Sequence, residues 1–278
     1  MTSFEWLTVA YLAAITAAGW RRQAPRRLRA AGYAALAIAL VIVARFTVPS
    51  GVRVWLPHAY LVLGYWLPAL LTPVPMSDGF QRALAAADAR VWSAAQNVVG
   101  RPLEPVGSVG SSSLGSSRYI RSGALGWFEL AYLLCYPIVP ISFIAVRVKG
   151  TEDDTVRFWL AVLTAGFACY GTLPWTAAWP PRFFSAGVPR GLAAINVRVL
   201  QHLSHGFNTF PSGHVAVAVA ASLAVAAVWP EAGATVGLIA ASIAVSAAIG
   251  RYHYVVDVIL GLLVGLLAWI VTSQLLRP

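Results

Sequence analysis

The feature that most restricts this chain is a succession of apolar stretches, each about as long as a bilayer is thick, separated by polar links. A spanning helix needs about 20 mostly apolar residues, and within hydrocarbon only helices and closed barrels satisfy their own backbone groups. Residues 30–48, 124–146, 156–174, 211–229, 232–249 and 252–276 meet that description, and 4–20 and 54–72 come close to it. Pro57, His58, Gly64 and Pro68 fall inside 54–72, so a kinked or re-entrant course is expected there. The fold expected is an all-α integral membrane protein, a multi-pass helix bundle of seven or eight spans. Composition agrees: 11% of the residues are charged, against about 25% in soluble domains.

The links divide the chain into membrane segments at 1–75, an interfacial and linker region at 76–123, and a membrane core at 124–278. No basic region precedes the 4–20 segment, which is therefore expected to be kept rather than cleaved as a signal. Residues 76–99 differ from the spans. Asp78, Arg82, Asp88 and Arg90 alternate there with alanines and with Phe80, Leu84, Val91, Trp92 and Val98, the pattern of an amphipathic helix lying in the interface. A Gly/Ser-rich linker follows at 107–117, and a long loop containing proline and arginine is expected over 175–208. The formal net charge is +10, and every basic residue except Lys149 is arginine. Beside spans, such charge faces anionic headgroups and sets orientation; without a basic aromatic module, no nucleic-acid partner is expected. Cys135 and Cys169 lie in apolar segments and offer no metal spacing.

Ionisable groups near spans are costly unless partnered, which makes each one a functional candidate. Two places where a histidine stands at the start of an apolar segment carry the candidate chemistry. In the first, Gly206-Phe207-Asn208-Thr209-Phe210-Pro211-Ser212-Gly213-His214 reads as a loop delivering the chain into a helix. Serine can cap that helix, and its free amides form a ready anion site with His214 in the first turn. In the second, His253 and Asp257 stand four apart, on one helix face, where the carboxylate can fix the imidazole tautomer. A capping ion pair would explain the second place equally well, and snorkelling to water would explain His214. Arg182, in Pro180-Pro181-Arg182, Arg190 and Arg198 would serve as plain headgroup contacts. Glu129 with Tyr132 reads as a polar interhelical contact, and His202 and His205 as solvated loop residues.

Taken together these residues point further. The segment starts and ends allow Arg182, His214, Arg251, His253 and Asp257 to converge at one membrane face. Two imidazoles, one carboxylate and arginine forks beside helix amides suit phosphoryl transfer. One histidine attacks phosphorus and the other protonates the leaving oxygen. The sequence has no carboxylate cluster for magnesium, no Walker loop and no zinc spacing, so neither metal nor cofactor is expected.

Phe210-Pro211-Ser212-Gly213-His214, followed by His253-Tyr254-Val255-Val256-Asp257, resembles the second and third motifs of the type 2 phosphatidic acid phosphatase superfamily. The resemblance implies a six-helix core and metal-independent chemistry through a phosphohistidine. It implies His253 as nucleophile, Asp257 as its partner, His214 as general acid, and Ser212 and Gly213 as phosphate contacts. Tyr254 after the histidine, Pro180-Pro181-Arg182, and Asp88 with Gly100-Arg101-Pro102, Glu129 and Tyr132 resemble the inositol phosphorylceramide synthase-like branch. Two departures stand out: Ala247 follows Ser246 where other members carry arginine, and the first motif has no lysine. Arg182 and Arg251 are the candidates to replace that charge.

The substrate expected is a lipid phosphate, diphosphate or phosphodiester in a cell membrane, with water or an alcohol as acceptor. The resemblance places the site on the extracytoplasmic face. Arginine in the links places it in the cytoplasm if 54–72 crosses the bilayer. A transporter or flippase, or an inactive lipid-binding scaffold, are the rival readings.

Overall fold

The computed structural model describes residues 2–72, 78–99, 122–184 and 191–275. The Gly/Ser stretch 107–117, the triplet Gly100-Arg101-Pro102, and Arg190 lie outside them. The helices are α1 (Ser3–Ala18), α2 (Ala24–Thr47), α3 (Ser50–Arg53), α4 (Pro57–Leu71), α5 (Asp78–Val99), α6 (Ser122–Leu133), α7 (Ile138–Lys149), α8 (Glu152–Tyr170), α9 (Leu173–Thr176), α10 (Leu192–Leu203), α11 (Gly213–Val228), α12 (Pro230–Ile249) and α13 (Val255–Leu275). Among the described residues there is no strand, only an isolated bridge between Ala178 and Asn208.

Helices α2, α8 with α9, α12 and α13 are each long and apolar enough to cross a membrane. A fifth candidate is α6 with α7, bent by 64°, and α11 is apolar but shorter. Where hydropathy alone makes residues 124–146 one span, the structure breaks it in two. The break at residues 134–137 follows from Pro137, which has no N–H to continue the ladder and crowds the preceding turn.

Helix α11 is the centre of the bundle, packed on α7, α8, α12 and α13. Lipid tails are as apolar as leucine, so close contact rather than water exclusion must hold spans together. The sequence supplies that contact through small residues: Ala216, Ala218, Ala220, Ala221 and Ala224 are all buried. On the facing helix, a Cβ at Gly261 would stand 2.6 Å from the Ser212 carbonyl oxygen, and one at Gly265 2.5 Å from that of Ala216. Only glycine permits so close an approach of α13 to α11.

Helices α1, α2 and α4 pack on one another, and α1 and α4 also pack against α8, where Tyr11 stacks on Phe167 at 4.1 Å. Helix α4 links two ends of the bundle. It starts beside α8, where the Trp159 indole donates to the Val54 carbonyl at 2.9 Å. It ends at Thr72, whose carbonyl accepts from the Arg26 guanidinium. Arg22 in turn donates to the Pro174 carbonyl at 2.6 Å. The α1–α2 link, the end of α4 and the end of α8 therefore share one end of the bundle. Lys149, over the Trp229 ring at 5.2 Å, marks the other.

Candidate active site

Three connecting segments meet at the end of the bundle marked by Arg22 and Pro174: residues 177–184, 204–212 and 250–254. Backbone bonds tie them together. Asn208 N–H donates to the Ala178 carbonyl at 2.8 Å, and Arg182 N–H to the Arg251 carbonyl at 2.9 Å. The Asn208 amide donates to the Tyr252 carbonyl at 2.7 Å. His253 N–H reaches the Ala247 carbonyl at 2.9 Å, and Ser212 N–H the Asp257 carbonyl at 3.0 Å. Each bond satisfies a backbone group that burial would otherwise orphan. The 250–254 turn closes with Arg251 at φ +57°, a left-handed conformation costly for any side chain but glycine.

This lattice aims side chains into a cavity of about 520 Å³, whose walls include Arg182, His205, Asn208, Thr209, His214, Tyr252 and His253. The rings of His214 and His253 are 6.1 Å apart between centroids and nearly perpendicular, at 81°. Behind the second ring, His253 Nδ1 lies 3.4 Å from Asp257 Oδ2, which also accepts from Tyr254 N–H at 3.2 Å. With Nδ1 turned to the carboxylate, Nε2 is the nitrogen left for the cavity.

Arg182 completes the wall. Its guanidinium lies 4.1 Å over the Tyr252 ring, while its Nη1 is buried without a hydrogen-bond partner. Tyr252 stacks on Tyr132 at 3.6 Å and donates to the Glu129 carboxylate. The same carboxylate accepts from Asn196 on α10. Glu129 is thus an interhelical contact, as its place in the sequence suggests, and it also fixes the ring beneath Arg182. Burial pushes the Tyr252 hydroxyl above its usual range, so it stays protonated and donating.

Helix α11 begins at the cavity edge. Ser212 occupies the N-cap position, but its hydroxyl makes no capping bond. Thr209 caps instead, accepting from Gly213 N–H at 3.0 Å. The Ser212 hydroxyl is left buried and unpartnered. Gly213 sits where a Cβ would meet the Tyr170 ring at 2.4 Å. Three of the sequence candidates, Arg182, His214 and His253, therefore line one cavity, with Asp257 behind His253 and with Ser212 and Gly213 adjoining at the start of α11. Arg251 stands apart from them: it does not line the cavity, and its charge acts on Asp88 and Tyr254.

His205, expected from the sequence to be solvated, is where the structure differs. Helix α10 within the expected 175–208 loop carries the chain back to α4, where His205 stacks on Tyr65 at 4.3 Å. His202 is exposed, its Nδ1 2.7 Å from the Arg198 carbonyl. Burial lowers His205 to about 4. Its Nδ1 accepts from Phe207 N–H at 3.3 Å, so the ring hydrogen sits on Nε2, which is buried and unpartnered. A lone loop histidine gives no sequence signal for this, because the Tyr65 face that receives it belongs to a helix far upstream and meets it only after folding.

A second cavity of about 400 Å³ shares Tyr65, Tyr170 and His214 with the first. Leu61, Val62 and Trp66 of α4, Val139 and Pro140 of α7 and Val217 of α11 make it mainly apolar. Among the described residues, no group of three or more His, Cys, Asp or Glu could hold a metal ion.

The fold and the site thus define a class: a multi-pass helical membrane protein with a pocket lined by two histidines and an arginine at one end of its bundle. Within it, residues 168–277, from the end of α8 through α13, match the model of the PAP2 superfamily. That match contains Arg182, His214, His253 and Asp257 and is to the superfamily as a whole. No curated protein and no solved structure matches the chain.

Proposed function

We propose that this protein is a membrane lipid phosphatase or phosphotransferase that works through a phosphohistidine. The observation that carries the reading is the pair of nearly perpendicular imidazoles, 6.1 Å apart, beside an arginine with an unsatisfied Nη1. The gap suits a phosphoryl group held between a nucleophile and a proton donor. The match of residues 168–277 to the PAP2 superfamily supports the same chemistry.

His253 Nε2 attacks phosphorus in line with the departing oxygen. As the N–P bond forms, positive charge develops on the ring, and Asp257 at Nδ1 stabilises it. His214 protonates the leaving oxygen as the P–O bond breaks. Arg182, held over Tyr252, neutralises the phosphoryl oxygens, and the Ser212 hydroxyl donates to one of them. In the second half His214 takes a proton from water or an alcohol, which attacks phosphorus and frees His253. The residues serve hydrolysis and transfer alike. The adjoining apolar cavity suits a hydrocarbon chain, which supports a lipid substrate over a free phosphate ester. Tyr254 and Pro180-Pro181-Arg182 favour the inositol phosphorylceramide synthase-like branch, hence a phosphodiester with an alcohol acceptor.

The test is purified protein with a panel of lipid phosphates, diphosphates and phosphodiesters, with and without EDTA, scoring free phosphate and transferred product. Turnover is expected in both conditions, with His253→Ala lowering kcat at least about 1,000-fold and His214→Ala about 100- to 10,000-fold. Turnover abolished by chelator, or intact in His253→Ala, would sink the mechanism. Lipid movement that persists in His253→Ala would favour the transporter, and phosphate binding without turnover the scaffold.

A further inference from the structure

Helix α5 lies outside the matched region, yet its inner face touches all three segments that build the cavity. Gln81 does most of this. Its Oε1 accepts from Trp179 N–H at 2.8 Å, while its Nε2 donates to the Trp179 carbonyl at 3.3 Å and to the Tyr254 hydroxyl. One amide thus joins the segment leading to Arg182 with the residue after His253. A turn further on, Leu84 is buried against Ala178 and Tyr254. A turn earlier, Phe80 meets the Phe210 ring edge-on at 5.3 Å, on the segment leading to His214. Asp88, one more turn along, accepts from Val255 N–H at 2.7 Å. Val255 opens α13, and its amide is one of the donors that a helix start leaves without an intrahelical partner. Asp88 therefore caps, from another helix, the very turn that presents His253 and Asp257.

We infer that α5 is a clasp, with Gln81 and Asp88 acting as positioning residues that hold the His253 turn and the Arg182 segment in register across the cavity. The inference rests on the proposed reading of the cavity as a phosphoryl-transfer site. Neither residue touches substrate. Asp88 fixes where α13 begins, and hence the direction of the His253 ring. Gln81 fixes the distance between that ring and the guanidinium. Displacements of about 1 Å at a reacting centre can cost about 100-fold in rate, so loss of the clasp is expected in kcat more than in KM.

The experiment compares Asp88→Ala, Asp88→Asn, Gln81→Ala and His253→Ala in the full chain, on the lipid phosphate that the wild type turns over best. Hydrogen exchange of the 250–258 segment is followed in parallel. Asp88→Ala should lower kcat about 10- to 100-fold with KM within about threefold, and should speed exchange in 250–258. Asp88→Asn keeps an oxygen that can accept from Val255 N–H, so it should recover most of both. Gln81→Ala should lower kcat by at least about tenfold.

Unchanged exchange in Asp88→Ala overturns the clasp whether or not turnover is found. Faster exchange with unchanged kcat, or equal losses in Asp88→Ala and Asp88→Asn, overturns it too. Failure of the underlying reading looks different: the wild type is then inactive throughout the panel, or His253→Ala turns over as well as wild type.

Discussion

Arg182 reaches the cavity with a flat guanidinium lying on Tyr252, at 4.1 Å, and one nitrogen unsatisfied. A lysine there keeps the charge but loses both the stack and the fork. Arg182→Lys is expected to lower kcat/KM about 10- to 100-fold and Arg182→Ala further, both measured on the best lipid phosphate; equality of Arg182→Lys with wild type would leave the arginine a headgroup contact only. His205 gives a second residue-scale prediction. Its folded-state value near 4 lies below the 6.5 of a free imidazole, so between those limits the unfolded chain binds more protons. Stability must then fall as pH drops from about 6.5 toward 4. The thermal midpoint of the wild type should therefore fall more on acidification from about pH 7 to about pH 4.5 than that of His205→Gln, and equal falls would contradict the burial of the ring. The histidines differ in how legible they are in the sequence. His253 and Asp257 are readable because a spacing of four is a statement about one helix face. His205 is not, because its neighbour Tyr65 comes from α4 and no local pattern encodes that contact. Arg251 looks equivalent to Arg182 in the sequence, yet it does not line the cavity, and the left-handed backbone it adopts has no local sequence signal.

Elements are readable where one periodicity runs unbroken. Helix α5 is legible as an amphipathic helix in charges alternating with alanines, and α12 and α13 in long apolar runs. Two elements are not. Helix α10 sits where the sequence suggests loop, because the prolines and arginines between 180 and 190 obscure the twelve amphipathic residues that follow them. The α6–α7 break is hidden in a stretch whose hydropathy alone reads as one span, and its residues Cys135 and Tyr136 line the apolar cavity. The α11–α13 contact makes a prediction at this scale. A Cβ at Gly261 or Gly265 would press on backbone carbonyls at 2.6 and 2.5 Å, and backbone cannot swing aside as a side chain can. Gly261→Ala should push the two helix starts apart, costing about 1–3 kcal/mol of stability and lowering kcat through the separation of His214 from His253. Gly237 on α12 is the control, since a Cβ there meets nothing within 4 Å. Gly237→Ala should leave activity intact and the midpoint in detergent unchanged or slightly raised, because alanine is the better helix former. If both substitutions behave alike, close packing of α13 on α11 is not what sets the site.

At the scale of the whole molecule the open issue is which way the bundle faces, and α4 bears on it. Sequence alone leaves two outcomes, depending on whether 54–72 crosses. Helix α4 connects the Val54–Trp159 end of the bundle to the Thr72–Arg26 end, so it runs the length of the bundle rather than turning back. The α1–α2 link, with Arg21, Arg22, Arg26, Arg27 and Arg29, then lies at the same end as the cavity, where Arg22 is bonded to the Pro174 carbonyl. Arg182, Arg198 and Arg251 are at that end as well, and α5 adds Arg82 and Arg90. Arg45, Arg53, Arg147, Lys149 and Arg157 mark the opposite end, and Glu152, Asp153 and Asp154 accompany the last three of them. Arginine and lysine close to spans are retained on the cytoplasmic side, and carboxylates weigh little against them. The cavity is therefore expected to face the cytoplasm, opposite to the placement implied by the family resemblance. Single cysteines at exposed Ser93 on α5 and exposed Glu152 on α8, in a chain with Cys135 and Cys169 changed to alanine, provide the measurement. In intact cells a membrane-impermeant maleimide should label the cysteine at 152 and spare that at 93 until the membrane is opened. The reverse pattern would place the site outside, and would mean that arginine in these links binds headgroups without setting the topology.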